Sequence, residues 1–570
     1  MKKITRILAL LLALVMLLGM AACGGTDSKK PDNDATGAAD ATDDRPIVTI
    51  GLPAMPNVMD YENNAYTKYI EEHANVNLEF IKYAANEFTA QIQTSVAGGE
   101  ELPDILWGCE FNPTTRNLYG EDGYFIDLKP YFEKLFNKDP EMLEKYPFWE
   151  EQYEWTTDDM KDLAIRKGES PVTGEMYGFP AVGKPFQSDA PQNMPYINKV
   201  WLDKLGYDIP TNIDELKIVL EAFRTMDPNG NGIQDEIPMI GSMCAIRGDA
   251  PTWLTNTYIF NNDYYMFNAT DDGELYYPWI MDEYREGLKT LREFVANGWL
   301  STLTWTLASM NEIPATFTPA DGVARCGVFF GHLSLRIIPN TPLLYEYEPL
   351  PPFNYAPISE DSYIYRSFIT DSCDDPDLAF DVLMWMQSPE AQIIERRGEE
   401  GVHWEWQDNV DSYGNPCVRP TIISSEDPYA GQTTSTWGTM GHGFNDKPDN
   451  WSPAEPMTDE VTWASVKLDK HWAHGEAYAA KAAETNPKNI VYSLIYNEEE
   501  DEIRADCFTA LQKVVKTGRA EFATGVRDIN SDADWNAYIS EFYAAGANEM
   551  LAAAQSAYDR EKEYQANKGN

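Results

Sequence analysis

Basic residues are scarce in this chain. Its 570 residues hold 44 Lys and Arg against 92 Asp and Glu, a formal net charge of -48. Such a surface excludes a nucleic-acid partner, because phosphate backbones require basic patches. It also opposes direct adhesion to anionic lipid. Histidine is rarer still, with six residues. There is no His-Glu-x-x-His, no Gly-x-Ser-x-Gly and no phosphate-binding glycine loop, so the common hydrolase and nucleotide signatures are missing. His471 and His474 stand three apart on an expected helix and, with no third ligand nearby, read as a surface pair. Among so many carboxylates a glycosidase pair has no distinguishing signal. The chain therefore reads as a non-enzyme, with no catalytic residue assigned.

Cysteine is sparse as well. Beyond Cys23 there are six: Cys109, Cys244, Cys326, Cys373, Cys417 and Cys507. They are scattered, without a Cys-x-x-Cys pair, which is neither a zinc pattern nor a dense disulfide framework. Connectivity is not readable, and buried free thiols are as consistent as bridges. Long apolar runs are also few. The one present, Ile7 to Gly19, falls short of the roughly 20 residues a spanning helix needs.

What is present at the start is ordered. Lys2, Lys3 and Arg6 precede that apolar run, and Met20-Ala21-Ala22-Cys23 follows it. Basic, apolar, small is the order of a signal peptide, here residues 1–22. The last four residues resemble the lipobox of bacterial lipoproteins, with Met20 where leucine is more usual. The resemblance implies cleavage before Cys23, acylation of that cysteine, and a lipid anchor on the outer face of the cell membrane. Several acyl chains are then needed for stable attachment. From Thr26 to Arg45 the sequence has no large apolar residue and reads as a disordered tether, residues 23–46 in all.

About 520 residues remain, enough for at least two lobes. Ile47 to Leu52 reads as a first strand and Val76 to Ile81 as a second, with a helix near Ala65 to Ala74 between them. Phe88 to Val96 reads as helix, and Leu102 to Trp107 as a buried strand ending in a loop. Strand, helix, strand at this spacing predicts an α/β fold with ligands beyond the carboxyl ends of the strands. A further unit runs from Tyr196 through a short helix, Lys199 to Leu205, stopped by Gly206. Thr211, with Asp214 three residues on, reads as the cap of the next helix, whose buried face is Ile213, Leu216, Leu220 and Phe223. Trp535 to Glu541 and Asn548 to Glu563 read as helices.

The sharpest motif is Asp227-Pro228-Asn229-Gly230-Asn231-Gly232-Ile233-Gln234-Asp235-Glu236. Side-chain oxygens fall at positions one, three, five and nine, with glycine at six, as at the start of an EF-hand calcium loop. Alternate residues of a tight loop can converge on one ion, which takes six to eight oxygens at about 2.3–2.6 Å. The Ile233 carbonyl supplies position seven. Position twelve is Pro238, so the usual bidentate Glu is absent and Asp235 and Glu236 must close the shell. The alternative is an Asn/Gly-rich turn. With so few carboxylates, any bound calcium reads as a structural staple.

In order along the chain come Gly98-Gly99-Glu100-Glu101-Leu102-Pro103-Asp104-Ile105, Tyr177-Gly178-Phe179-Pro180 and the run Tyr196 to Gly206. Pro210-Thr211, the Asp227 loop, Arg397-Gly398-Glu399-Glu400-Gly401-Val402-His403-Trp404 and Trp535 to Tyr558 follow. This series resembles the family 1 extracellular solute-binding proteins of carbohydrate ABC importers, and within them the large Gram-positive lipoproteins related to alginate-oligosaccharide-binding proteins. The resemblance implies a periplasmic-binding-protein-like type II fold over residues 47–570, with two sequence-discontinuous lobes, a hinge and an interlobe cleft. It also implies an oligosaccharide ligand, a membrane permease as partner and a monomeric chain. Calcium ligands would be Asp227, Asn229, Asn231, the Ile233 carbonyl, Asp235 and Glu236, and the missing position-twelve Glu is normal in that group. Sixteen Trp and 32 Tyr suit sugar faces, though Trp and Tyr are also core residues and any single one is more often structural. Trp107, Trp155, Trp305, Arg366 and Trp437 are the cleft candidates, each in a loop-like or strand-end context. Arg366 serves equally as half of a salt bridge within one lobe. Two other classes remain open on sequence: a surface sensor or adhesin, and a secreted glycoside-active enzyme.

Overall fold

The expected opening unit forms where the apolar alternation places it. In a computed structural model, β1 (Ile47–Ala54) and β2 (Asn77–Ala84) are parallel and joined by the helix Ala65–Ala74. The helix Phe88–Gly98 leads to β3 (Ile105–Trp107), which pairs parallel to the other side of β1. The structure describes residues 44–152, 158–183, 193–243, 248–263, 266–307, 323–331, 343, 346–357, 364–410, 416–420, 437, 444–445, 450–451, 459–491 and 494–568. Cys23 and the tether to 43, Trp155 and Cys244 lie outside them.

Later segments complete this first sheet. Its order is β14-β4-β11-β3-β1-β2, with β4 at Phe179–Gly183, β11 at Ile364–Ile369 and β14 at Phe444–Asn445. The antiparallel β11 sits between β3 and β4. A second sheet has the order β10-β5-β9-β6, where β5 is Pro195–Asn198, β6 Ile237–Ile240, β9 Cys326–Phe330 and β10 Tyr347–Pro349. Each sheet has its own core. One core draws on Val48 to Phe179, then Tyr365 to Ala391 and Trp437; the other on Ile197 to Ala356, then Tyr478 to Ala557. The chain thus passes between the lobes three times. Pro46–Asn570 forms one compact unit. No described helix is long and apolar enough to cross a membrane.

Local sequence explains most element ends. Asn198 caps Lys199–Leu205 by accepting from the Trp201 N–H at 3.0 Å, and Gly206 closes it at φ +77°, a conformation that suits glycine. The next helix is Ile213–Thr225, and here the expected cap is corrected. Asn212, not Thr211, accepts from the Asp214 and Glu215 N–H groups, while Thr211 donates to Glu215. Asn sits among the best N-caps, so the shift by one residue follows ordinary preference. His474 is not on the surface either. It is fully buried, edge-on to Tyr196 at 4.8 Å. Cys109, Cys326, Cys373 and Cys507 are unbridged.

The second core encloses a charge cluster. Arg519, on the helix Glu498–Thr524, is fully buried. Its guanidinium donates to Asp263 at 2.6 and 3.1 Å, to Asp249 at 3.3 Å, to the Thr252 hydroxyl at 2.8 Å and to the Tyr284 hydroxyl at 3.0 Å. Asp249 also caps Ala250–Thr255. Burial, opposed by Arg519 and reinforced by Asp263, pushes the Asp249 carboxyl up to about 6. Unfolded aspartate titrates near ~3.9. A raised folded value means that stability is fully present below about pH 4 and is lost as pH rises through about 6. Asp249→Asn should therefore gain on the natural protein as pH rises across that window. Urea midpoints measured at pH 4, 5, 6 and 7 check this, and a constant difference between the two proteins would contradict it.

Candidate functional site: a two-lobed cleft and a cation loop

The carboxyl end of β3 is the first place to look for a ligand. There the Gly108 and Cys109 N–H groups both donate to the Arg366 carbonyl, at 2.8 and 2.9 Å, which locks β3 to β11. The Arg366 guanidinium forms an ion pair with Glu110 in the same lobe. Arg366 thus takes the salt-bridge role at the very edge where a ligand would lie. Glu110, the more exposed partner, is a residue sequence reading missed. Its position three residues beyond Trp107, past a strand end, was the available signal.

Two tryptophan candidates are buried in the structure. Trp107 and Trp437 are both fully buried in the first core and meet edge-to-face at 5.3 Å. Trp437 also packs edge-on against Tyr66 and Phe80, and its indole N–H donates to the Thr67 hydroxyl at 2.8 Å. A ring with no exposed face offers none to a sugar. A strand-end position suggested a cleft wall, but apolar burial won.

Trp305 is placed differently. It ends a short helix, Thr302–Trp305, that is tied to the carboxyl end of β6. The Ser301 N–H donates to Met239 O at 2.8 Å and the Gly241 N–H to the Thr304 hydroxyl at 3.2 Å. The ring is partly buried, and its enclosed indole N–H has no partner among the described residues. Trp305 and the Arg366–Glu110 pair therefore sit at the carboxyl edges of the two different sheets. Trp155 lies outside the described residues.

The lobes meet at a cavity of about 450 Å³. The helix Pro113–Glu121 supplies one wall through Asn117, Leu118 and Glu121, and Tyr496, Asp501 and Arg560 face it from the other lobe. Its size falls within the usual range for small-ligand sites, roughly 300–1,000 Å³. Thr114 donates to Tyr496 O across the lobes at 3.2 Å, and Tyr564 hydrogen-bonds Glu169.

The Asp227 loop leads from the helix Ile213–Thr225 into β6. Asp227, at φ +45°, accepts the Gly230 and Gly232 N–H groups at 3.0 Å each. Asn231 accepts the Ile233 N–H at 2.7 Å. The Asn229 and Asn231 amides both donate to Asp235 Oδ1 at 3.1 Å, and Arg325 Nε holds Asp235 Oδ2 at 2.6 Å. Against partial burial, those amides and Arg325 keep the Asp235 carboxyl below the usual range. Glu236 is the opposite. Both its oxygens are enclosed and make no well-formed hydrogen bond. Burial, with repulsion from Asp227 and Asp235, raises its carboxyl above the usual value. No three His, Cys, Asp or Glu side chains converge as a metal cluster among the described residues. The donors here are mixed: carboxylates, amides and a carbonyl. That all-oxygen set suits a hard cation, and Glu236, enclosed and without a well-formed hydrogen bond, is the observation that fits one.

No protein-family model matches the sequence. The chain is 26% identical over 287 residues to the fructooligosaccharide ABC transporter substrate-binding protein FusA of Streptococcus pneumoniae, an alignment covering 49% of each chain. It thus spans about half the length of that curated relative. Among solved structures, an HMO-binding ABC-transporter-associated solute-binding protein from Bifidobacterium longum infantis matches with a TM-score of 0.66 at 20% identity, over 91% of this chain and 99% of that one. An EF-hand mutant of S. pneumoniae FusA in complex with fructo-nystose matches with a TM-score of 0.61 at 20% identity, over 91% and 100%. The chain is thus a homologue of an ABC-transporter substrate-binding protein and carries the two-lobed α/β fold of the solute-binding proteins.

Proposed function

We propose that this protein is the lipid-anchored, extracellular substrate-binding component of an ABC importer, and that it captures an oligosaccharide between its lobes. The observation that carries the reading is the thrice-crossed, two-core architecture, with Trp305 at one sheet edge and Arg366–Glu110 at the other. An aromatic face and a charged, hydroxyl-binding edge on separate lobes are what a sugar can bring together. Its relatives' ligands, fructooligosaccharide and HMO, set the first compounds to try. No chemistry on the sugar is required; the protein binds and hands over. The Cys23 anchor keeps the binder beside its permease, which raises its effective concentration there. Calcium in the Asp227 loop, held by Asp227, Asn229, Asn231, the Ile233 carbonyl, Asp235 and Glu236, would pin the start of β6 without touching the ligand. When bound it supplies structural cross-linking only.

Closure must come from contacts made in the closed form alone. A screen of fructo- and human-milk-type oligosaccharides by thermal shift finds the ligand; at 100 times its dissociation constant it stabilises by about 2.7 kcal/mol. Small-angle scattering at saturation should then show a smaller radius of gyration than the free protein. An unchanged radius with a bound sugar would defeat the closing-cleft reading. Turnover of the sugar would defeat the binding-protein reading altogether.

A further inference from the structure

Arg325 precedes β9, and the loop's last residues precede β6, its parallel neighbour. The Ile237 N–H donates to the Arg325 carbonyl at 2.7 Å, so the Arg325 backbone is held at the loop's exit. It is largely buried, with its side chain 14% exposed, and grips Asp235 Oδ2 at 2.6 Å. Asp235 Oδ1 faces inward, to the amides of Asn229 and Asn231. The loop therefore already contains one cation, a single carboxylate away from its centre. The loop carries three carboxylates in sequence, Asp227, Asp235 and Glu236, and Arg325 is paired with Asp235.

We propose that Arg325 is a built-in counter-cation: it holds the loop together when no metal is bound and, by the same charge, weakens the loop's affinity for calcium. The inference rests on the calcium reading above. Its physical basis is short-range electrostatics. The guanidinium lowers the negative potential that a divalent ion would meet, and partial burial keeps that effect from being screened away. A loop without its twelfth-position carboxylate then binds calcium loosely by construction, yet does not fall apart without it.

The test compares the full-length mature protein with its Arg325→Gln and Arg325→Lys variants. Each is titrated with calcium by isothermal calorimetry and melted with and without chelator. The natural protein should bind calcium and lose little melting temperature on chelation. Arg325→Gln should bind roughly tenfold more tightly, as removal of a unit charge beside a divalent ion requires, and lose much more stability on chelation. Arg325→Lys keeps the charge and should stay near the natural affinity. Weaker or unchanged calcium binding in Arg325→Gln, alongside binding by the natural protein, overturns the counter-cation role and leaves the calcium site standing. No calcium binding by the natural protein overturns both. If Arg325→Gln folds only with calcium present, the proposal holds. If it folds in neither condition, Arg325→Met replaces it and is read in the same way.

Discussion

Arg519→Met is expected to destabilise the protein by about 3–5 kcal/mol, because removing one partner of a buried ion cluster leaves the other charges uncompensated. Asp249 and Asp263 would then face each other without the guanidinium that donates to both. Thr252 and Tyr284 would lose a donor as well. Denaturant unfolding followed by tryptophan fluorescence reads the loss. The triple variant Arg519→Met, Asp249→Asn, Asp263→Asn separates charge from packing. Neutral isosteres remove the repulsion, so this variant should recover most of the lost stability. If it is no more stable than Arg519→Met alone, the side chain's packing carries the effect and the electrostatic account is wrong.

The second large effect concerns Trp437. Trp437→Ala should cost about 3–5 kcal/mol, the usual penalty for emptying a buried aromatic site. Three ring contacts and the bond to Thr67 go with it. Sugar affinity per folded molecule should barely move, since the ring has no exposed face. Trp305→Ala should do the reverse: little loss of stability and a marked loss of affinity. Calorimetric titration of both variants decides. A Trp437 variant that is stable but no longer binds would restore that residue to the cleft.

The contrast between these two tryptophans shows where sequence reading stops. Elements built from neighbours in the chain were legible. The Ala65–Ala74 helix and the Gly206 stop rest on contacts a few residues apart, and the strands on either side of the helix pair with each other at a separation of 30 residues. The turn at Asp227 was legible for the same reason, since the groups that hydrogen-bond within it lie within ten residues. What depends on distant partners was not. Nothing near Phe179 or Ile364 announces that β11 will lie between β3 and β4. Arg519 looks like any helical arginine until Asp263, 256 residues earlier, is placed beside it. Arg325 carries no local mark as the partner of Asp235. Trp107 was read correctly as buried and at a strand end, but its neighbour Trp437 lies far along the chain, so a wall and a core position looked alike.

The central place of β11 has a consequence for how the protein is made. A chain leaves the ribosome amino end first. β1, β2, β3 and β4 emerge as strands whose middle neighbour is still about 180 residues away in the chain. Until Ile364–Ile369 arrives, β3 and β4 each present an unpaired edge toward the gap that β11 will fill. Exposed strand edges of this kind invite pairing with other chains. The first lobe is therefore the one that needs protection while the chain is being made, although its residues come out first. A chain truncated anywhere before residue 369 should aggregate rather than yield a free lobe.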